Sequence, residues 1–242
     1  MIRPTNPQPW SIVAQNLPEH ARNRIHTDDG AREAGFPRAL VAGVTTYAYL
    51  THPIAEAWGL GWVSSGGGEV RFRRPVFDGD LVRCVVEPID GGVAVAAVTD
   101  EPEQPRAVFR AVARAEAQAA MRPGELLPVK RIPLDAEWGS DYGARAGDPF
   151  DLYVRNGIVH PAVWPALANH VVHTEVARGS WIHTRSIVRH HALAPAGDTA
   201  EVRSTVVRRF ESHGERAVLD VHIVVNDQVV ASLEHEAIVA LP

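Results

Sequence analysis

The sequence has little sulfur and no long apolar run. Its single cysteine, Cys84, excludes an intrachain disulfide. Cys84 lies in the strand-like segment 81–86, where we expect a buried strand residue rather than a nucleophile. No apolar run approaches the length that spans a bilayer, and the polar, proline-rich segment 1–10 lacks the apolar core of a signal peptide. We therefore predict a soluble, cytoplasmic protein without a membrane partner.

Excess charge is also absent. The net charge is −5 and the pI is about 6.2, so there is no electrostatic reason to expect a nucleic-acid partner. The chain has 12 histidines, and His170, His173 and Glu175 fall near one another on a helix, but it has no HExxH motif and no cysteine pair. We predict no metal and no cofactor. A hydrophobic content of 45% is enough for a sizeable core in one large or two small domains.

A polar segment with an imidazole precedes a small-residue helix start. The segment contains Asn23, His26 and Asp28, and the apolar helix that follows begins near Ala42-Gly43. Small residues at that point let a substrate approach the backbone. A histidine beside helix N-terminal N–H groups suits proton transfer next to a carbonyl, because the imidazole moves the proton and the N–H groups hold the oxyanion.

These residues together resemble the MaoC-like (R)-specific enoyl-CoA hydratases and acyl dehydratases, which have the hotdog fold. The resemblance covers about residues 20–116. Its motifs are Asn-x-x-His-x-Asp from Asn23, Gly-Phe at 35–36, small-Gly at 42–43 and Arg-Phe-x-x-Pro-Val-x-x-Gly-Asp at 71–80. The family has a catalytic aspartate five residues before the histidine, and here that position is Ala21.

The resemblance implies roles for individual residues. His26 is expected to move the proton, Asn23 to orient a water or His26, and Gly43 to bind the thioester oxygen through its N–H. Asp28 either supplies the missing carboxylate base or only caps the short helix that follows. The expected substrate-binding residues are Tyr47, Ala42, Val44, Arg73 and His160. Tyr47 also fits a position in the core. Arg73 either lies solvated on a strand or binds a phosphate of CoA.

The same order of elements occurs twice along the chain. Each predicted helix is followed by an antiparallel meander, which predicts an α+β double hotdog with two central helices, each wrapped by half of one sheet. The proline-rich segment 118–138 is predicted as the connection between an N-terminal hotdog at 1–117 and a C-terminal hotdog at 139–242. The predicted helices are 41–58 and 161–176, and the predicted strands are 68–74, 81–88, 93–99, 106–115, 181–190, 199–210, 216–225 and 228–239.

The two halves differ at the helix starts. Val159-His160-Pro161-Ala162 stands in the second half where the first has Val41-Ala42-Gly43-Val44. This asymmetry indicates one catalytic half and one half that shapes the acyl pocket. An alternative places the chemistry at His160, with Glu175 as its carboxylate. One chain is expected to form the complete two-helix unit, and a homodimer is possible but not required.

The resemblance implies a hydro-lyase that acts on an acyl-CoA or acyl-carrier-protein thioester, by 2-enoyl hydration or 3-hydroxyacyl dehydration. One alternative is a thioesterase or a specialised hotdog enzyme with a non-CoA substrate. Another, consistent with Ala21, is a non-catalytic acyl-binding partner of a true hydratase.

Overall fold

The computed structural model describes residues 6–241, which contain one continuous antiparallel sheet. The strands lie side by side in the order β1-β3-β4-β5-β2-β8-β11-β10-β9, and the short β6 and β7 both pair with β9. Their bounds are β1 Trp10–Val13, β2 Gly67–Phe72, β3 Leu81–Ile89, β4 Gly92–Val98, β5 Ala107–Val112, β6 Glu125–Leu126, β7 Lys130–Pro133, β8 Ile182–His190, β9 Thr199–Glu211, β10 Glu215–Val225 and β11 Gln228–Ala240. Because β2 and β8 pair at the centre, the two halves of the chain share the sheet.

Two helices pack on this sheet and join it in one apolar core. The α-helices of residues 6–241 are α1 Asp28–Glu33, α2 Gly43–Ser65, α3 Tyr142–Arg145, α4 Leu152–Arg155 and α5 Val163–Val171. Every residue from 44 to 51 of α2 is buried, so this helix has no face left for water and must be enclosed. The predicted double unit, with α2 and α5 each wrapped by half of one sheet, is confirmed.

The helix ends differ from the prediction for local reasons. The first helix was predicted to end at residue 58, one residue before Gly59, whose φ of 59° and ψ of −155° are not helical. Helical turns resume after this kink, and α2 continues to Ser65. The second helix is α5 followed by a π-helical turn, Val172–Val176, and together they end where the prediction placed the end. No helix within residues 6–241 is long and apolar enough to cross a membrane.

Backbone contacts repeat between the halves. Leu40 forms an isolated bridge with Phe77, and Ile158 forms the same bridge with Pro195. The residues that follow repeat the pattern as well, because the Val41 N–H donates to the Val76 carbonyl at 2.8 Å and the Val159 N–H donates to the Ala194 carbonyl at 3.0 Å. The predicted equivalence of 41–44 with 159–162 therefore has a structural counterpart.

The predicted connection 118–138 is too broad. It contains β6 and β7, and β7 pairs with β9 as β1 pairs with β3, so the strands of the C-terminal half begin before residue 139. Prolines 123, 128 and 133 suggested a linker, but an edge strand tolerates proline because one side of its backbone has no ladder partner. Strand β1 was not predicted either; residues 1–5 of the predicted polar segment lie outside the described residues.

Candidate active site

Two adjoining cavities lie between the halves of the molecule. The larger holds about 270 Å³ and the smaller about 60 Å³. Both are lined by Asn23 and His26 from the N-terminal half and by Asn169 and Trp181 from the C-terminal half. We call this space the cleft. The cleft brings together the polar segment that contains Asn23 and His26 and the helix start at residues 42–44.

His26 is held in the cleft with one ring nitrogen free. His26 is the last residue of the 3-10 turn Arg24–His26, and its Nδ1 lies 2.8 Å from the Leu40 carbonyl oxygen. A carbonyl only accepts, so Nδ1 carries the proton and Nε2 keeps its lone pair. Burial lowers the pKa of His26 to about 4, although the bond to Leu40 acts in the opposite direction. His26 is therefore a neutral imidazole whose Nε2 can take a proton.

Asn23 presents an unpartnered acceptor. Its Nδ2 donates to the Trp181 carbonyl oxygen at 2.8 Å, which fixes the orientation of the amide. Its Oδ1 is buried and has no hydrogen-bond partner in the described part of the chain. Leaving a buried acceptor unpaired costs about 1–3 kcal/mol. A hydrogen bond from a bound hydroxyl or water to this oxygen would remove that cost.

The start of α2 forms a wall of the cleft. Ala42 and Val44 line the smaller cavity, and Gly43 lines the larger one. The N–H groups of a first helical turn have no partner within the helix and can stabilise an oxyanion. A Cβ at Gly43 would lie 3.3 Å from the Phe72 ring, so a side chain here would crowd the cavity wall. The predicted pairing of His26 with this helix start matches the geometry.

Sequence reasoning missed His20, which lines the smaller cavity with its ring centroid 5.8 Å from that of His26. Its Nε2 lies 3.0 Å from the Tyr142 hydroxyl and 3.3 Å from the Thr45 hydroxyl, and these two hydroxyls are 2.9 Å apart. Burial, with help from the charges of His26, Arg145 and Arg22, lowers the pKa of His20 to about 3. A second histidine six residues before His26 was the available signal.

Ala21 stands where the MaoC-like enzymes have their catalytic aspartate. Its side chain is exposed and lines neither cavity. Asp28 is also outside the cleft. Its Oδ1 accepts a hydrogen bond from the Ala39 N–H at 2.9 Å, and its carboxylate pairs with Arg32 at 3.4 Å. The N-cap of α1 is Thr27, whose hydroxyl accepts from the Gly30 N–H, so Asp28 begins the helix instead of capping it.

Arg73 lies where an anionic group could reach it. Its exposed side chain lines the larger cavity and has no ion-pair partner within residues 6–241. Its neighbours are occupied, because Arg71 pairs with Glu69 and Arg74 pairs with Glu101.

Tyr47 and His160 lie in the core and line neither cavity. The Tyr47 ring is fully buried against Phe109, with ring centroids 5.2 Å apart. His160 is 1% exposed, and its Nδ1 accepts from the Ala162 N–H at 3.0 Å. Burial lowers its pKa to about 3. Glu175, the carboxylate suggested for His160, pairs with Lys130.

The histidines near the end of α5 do not form a metal centre. His170 and His173 line the smaller cavity, and the Trp181 indole N–H donates to His173 Nδ1 at 3.4 Å. Among the residues that the structure describes, no group of three or more histidine, cysteine, aspartate or glutamate side chains is arranged to hold a metal ion.

Solved structures with a similar fold match nearly the whole chain. The chain is similar to a MaoC domain protein assigned as a dehydratase from Chloroflexus aurantiacus J-10-fl, with a TM-score of 0.63, 12% identity and coverage of 98% of this chain and 96% of that one. It is similar to Rv0216 of Mycobacterium tuberculosis, which has a double hotdog fold, with a TM-score of 0.62, 15% identity and coverage of 97% and 96%. This chain is a double hotdog.

The chain is also similar to a protein assigned as an oleoyl thioesterase from Lactobacillus plantarum, with a TM-score of 0.53, 12% identity and coverage of 98% of both chains. No protein-family model and no curated protein sequence matches this chain. At these identities the similarity shows the fold alone.

Proposed function

We propose that this chain is a hydro-lyase that acts on an acyl thioester, as a MaoC-like enzyme of the double hotdog fold. The observation that carries the proposal is the neutral His26, with Nε2 open to a cleft whose wall is the start of α2. Structures of similar fold that are assigned as dehydratases and thioesterases support a thioester substrate.

In the dehydration direction, His26 Nε2 takes the proton from Cα, and the electron pair moves towards the thioester oxygen. The Gly43 N–H holds the negative charge that develops on that oxygen. The charge then returns to form the double bond, the bond between Cβ and the hydroxyl breaks, and His26 gives its proton to the leaving hydroxyl. Hydration is the reverse. One imidazole serves both transfers, so this route needs no carboxylate at position 21 or 28.

Other residues of the cleft take supporting roles in the proposal. Asn23 Oδ1 accepts a hydrogen bond from the reacting hydroxyl or water and so orients it. Ala42 and Val44 shape the wall around the reacting carbons. Arg73 binds a phosphate of CoA or of a carrier-bound pantetheine arm. The proposal gives no role in the cleft to Asp28, Tyr47 or His160, because none of them lines it.

Thioester hydrolysis is the second candidate, and one observation favours it. A neutral base, an unpartnered acceptor at Asn23 and an oxyanion donor are also sufficient to direct water at the thioester carbon. Both reactions use His26, so they are separated by their products.

The test incubates the purified chain with 2-enoyl thioesters of increasing length, as CoA esters and on acyl carrier protein. Loss of the 2-enoyl absorbance without release of thiol is expected. Thiol release with the double bond retained would instead identify a thioesterase. His26→Ala should abolish most of the turnover, whereas Asp29→Ala, an exposed neighbour, should not. No reaction with any acyl group or carrier would contradict both candidates and favour a non-catalytic acyl-binding partner.

A further inference from the structure

His20 is anchored on one side and open on the other. The Tyr142 and Thr45 hydroxyls contact its Nε2, and Nδ1 has no protein partner among the described residues. The ring lines the smaller cavity together with His26 and Asn23. The mechanism proposed above does not use this side chain.

The cleft offers no free carboxylate to share the chemistry with His26. Glu19 is the acidic residue that lines the smaller cavity, and it forms an ion pair with Arg145; the lining of the larger cavity contains no acidic residue. His26 Nε2 and Asn23 Oδ1 are acceptors, so neither can donate a hydrogen bond to the oxygen. His20 Nδ1–H can donate, and so can the amide of Asn169, which lines both cavities.

We propose that His20 is a second catalytic residue, which binds through its Nδ1–H the oxygen that is added to or removed from the acyl chain. This inference rests on the proposed hydro-lyase function. The hydroxyl then has a complete set of partners: its hydrogen goes to Asn23 Oδ1, and its oxygen accepts from His20. When the bond between Cβ and oxygen breaks, the developing hydroxide takes its proton from protonated His26. His20 keeps its own proton and stabilises the negative charge on the oxygen until that transfer is complete.

The hydroxyl pair on Nε2 is compatible with the tautomer that this role requires. In that arrangement Thr45 donates to the Tyr142 oxygen and Tyr142 donates to His20 Nε2, which leaves the ring proton on Nδ1. Burial raises the pKa of Tyr142 far above neutrality, so its hydroxyl remains a donor.

Burial keeps His20 neutral and is the main cause that lowers its pKa. The charges of Arg145 and Arg22, and of His26 when it is protonated, act in the same direction. Glu19, the one carboxylate of this wall, is paired with Arg145. A neutral imidazole donates a hydrogen bond without giving up its proton, which suits a group that holds an oxygen. Because Tyr142 and Arg145 belong to α3, the C-terminal half positions this residue of the N-terminal half.

The first experiment compares kcat and KM of the whole protein carrying His20→Ala, His20→Asn or Tyr142→Phe. His20→Ala should lower kcat by roughly 10²-fold, the usual effect of losing one oxyanion donor, with little change in KM. His20→Asn, which retains an N–H donor, should recover part of that loss, and Tyr142→Phe should give a smaller loss. The control is His170→Ala, which alters the same cavity without removing a group of the mechanism. Activity of His20→Ala within threefold of the unmodified protein would overturn the proposal.

The second experiment does not depend on turnover. Long-range ¹H–¹⁵N spectra of the ¹⁵N-histidine protein report which ring nitrogen carries the proton. We expect Nδ1–H for His20, and we expect its resonance to move on titration with 3-hydroxybutyryl-CoA but not with butyryl-CoA. If the protein shows this shift with 3-hydroxybutyryl-CoA but does not turn over any enoyl thioester, the hydro-lyase function is rejected and the hydroxyl-binding site at His20 is kept. Equal responses to both ligands, or an Nε2–H tautomer, would reject the role of His20.

Discussion

The protonation state of one side chain, His26, governs how the proposed reaction depends on pH. A group that must accept a proton works only when it is neutral, and burial lowers the pKa of His26 to about 4. The base is therefore already competent at pH 5, well below the usual histidine range of about 6.5.

We expect kcat/KM to stay level from pH 8 down to the pH at which the fold is lost, because the His26 pKa of about 4 lies below that range. The profile should be measured with a 2-enoyl thioester, with circular dichroism at each pH to exclude unfolding. Because kcat/KM reports the free enzyme, an acid limb centred near 6.5, the ordinary histidine value, would show that the base is not a buried, neutral His26.

Replacement of the two central polar residues should separate chemistry from orientation. His26→Ala should lower kcat by roughly 10²–10⁴-fold, because general acid–base assistance contributes about that much. Asn23→Ala should cost less, since the amide only orients the hydroxyl. Steady-state kinetics and thermal unfolding of both variants make the comparison. Should His160→Ala lose activity while His26→Ala keeps it, the cleft would not be the active site.

The grouping of Asn23, His26 and Gly43 could be predicted from sequence, because these residues form a local motif before one helix. The histidine spacing was a signal for His20, but its position in the cleft could not be predicted, since its ring contacts Tyr142, 122 residues away, which only the folded chain brings to 3.0 Å. By sequence, Tyr47, one turn into α2, fits either a substrate contact or a core position. The helix is enclosed on all sides, and the face that carries Tyr47 packs on Phe109 instead of the cleft.

Among the elements, the junction of β2 and β8 is where one half is attached to the other. Charged side chains bridge the strands there: Arg185 of β8 contacts Glu69 of β2 and Glu234 of β11, and Arg122 extends the series from Glu234 to Asp220 of β10. Burial disfavours ionisation of Glu69 and Glu234, yet the hydrogen bonds and charge of Arg185 lower the pKa of both. The series therefore joins strands of both halves.

Removal of Arg185 should destabilise the fold more than removal of an exposed arginine. The Arg185 side chain is 18% exposed and has two carboxylate partners, so Arg185→Ala should cost about 2–3 kcal/mol of unfolding free energy. Arg24→Ala, which breaks the exposed pair with Glu33, should cost less than about 1 kcal/mol. Urea unfolding measures both. Equal losses would mean that the junction does not depend on these ion pairs.

The long strands β3, β10 and β11 could be predicted because their apolar residues alternate or follow one another over many positions. The short strands β1, β6 and β7 have two to four residues, too few for a period to emerge. Their place in the sheet comes from pairing with β3 and β9, a tertiary effect that local pattern does not contain.

For the whole molecule, buried histidines dominate the expected response to acid. Burial is the first cause that lowers the pKa of each of them below the ordinary value of 6.5, and the group comprises His20, His26, His160, His183, His190 and His235. In the unfolded chain the same side chains titrate near 6.5. Below that pH the unfolded state binds protons that the folded state refuses, so the unfolding free energy must fall.

The stability that depends on these histidines should be complete above about pH 6.5 and be lost as the pH falls towards the folded pKa values of about 3 to 4. Each such histidine removes up to about 1.4 kcal/mol per pH unit in that window. Urea unfolding at pH 7.5, 6 and 5 should show the midpoint falling steeply while the m-value stays constant.

His190→Gln, which removes one buried imidazole, should make the pH dependence of the midpoint shallower, whereas His213→Gln, at an exposed turn, should leave it unchanged. A stability that is level from pH 7.5 to 5 would mean that the histidines are protonated in the folded protein, and would remove the basis for a neutral base at His26.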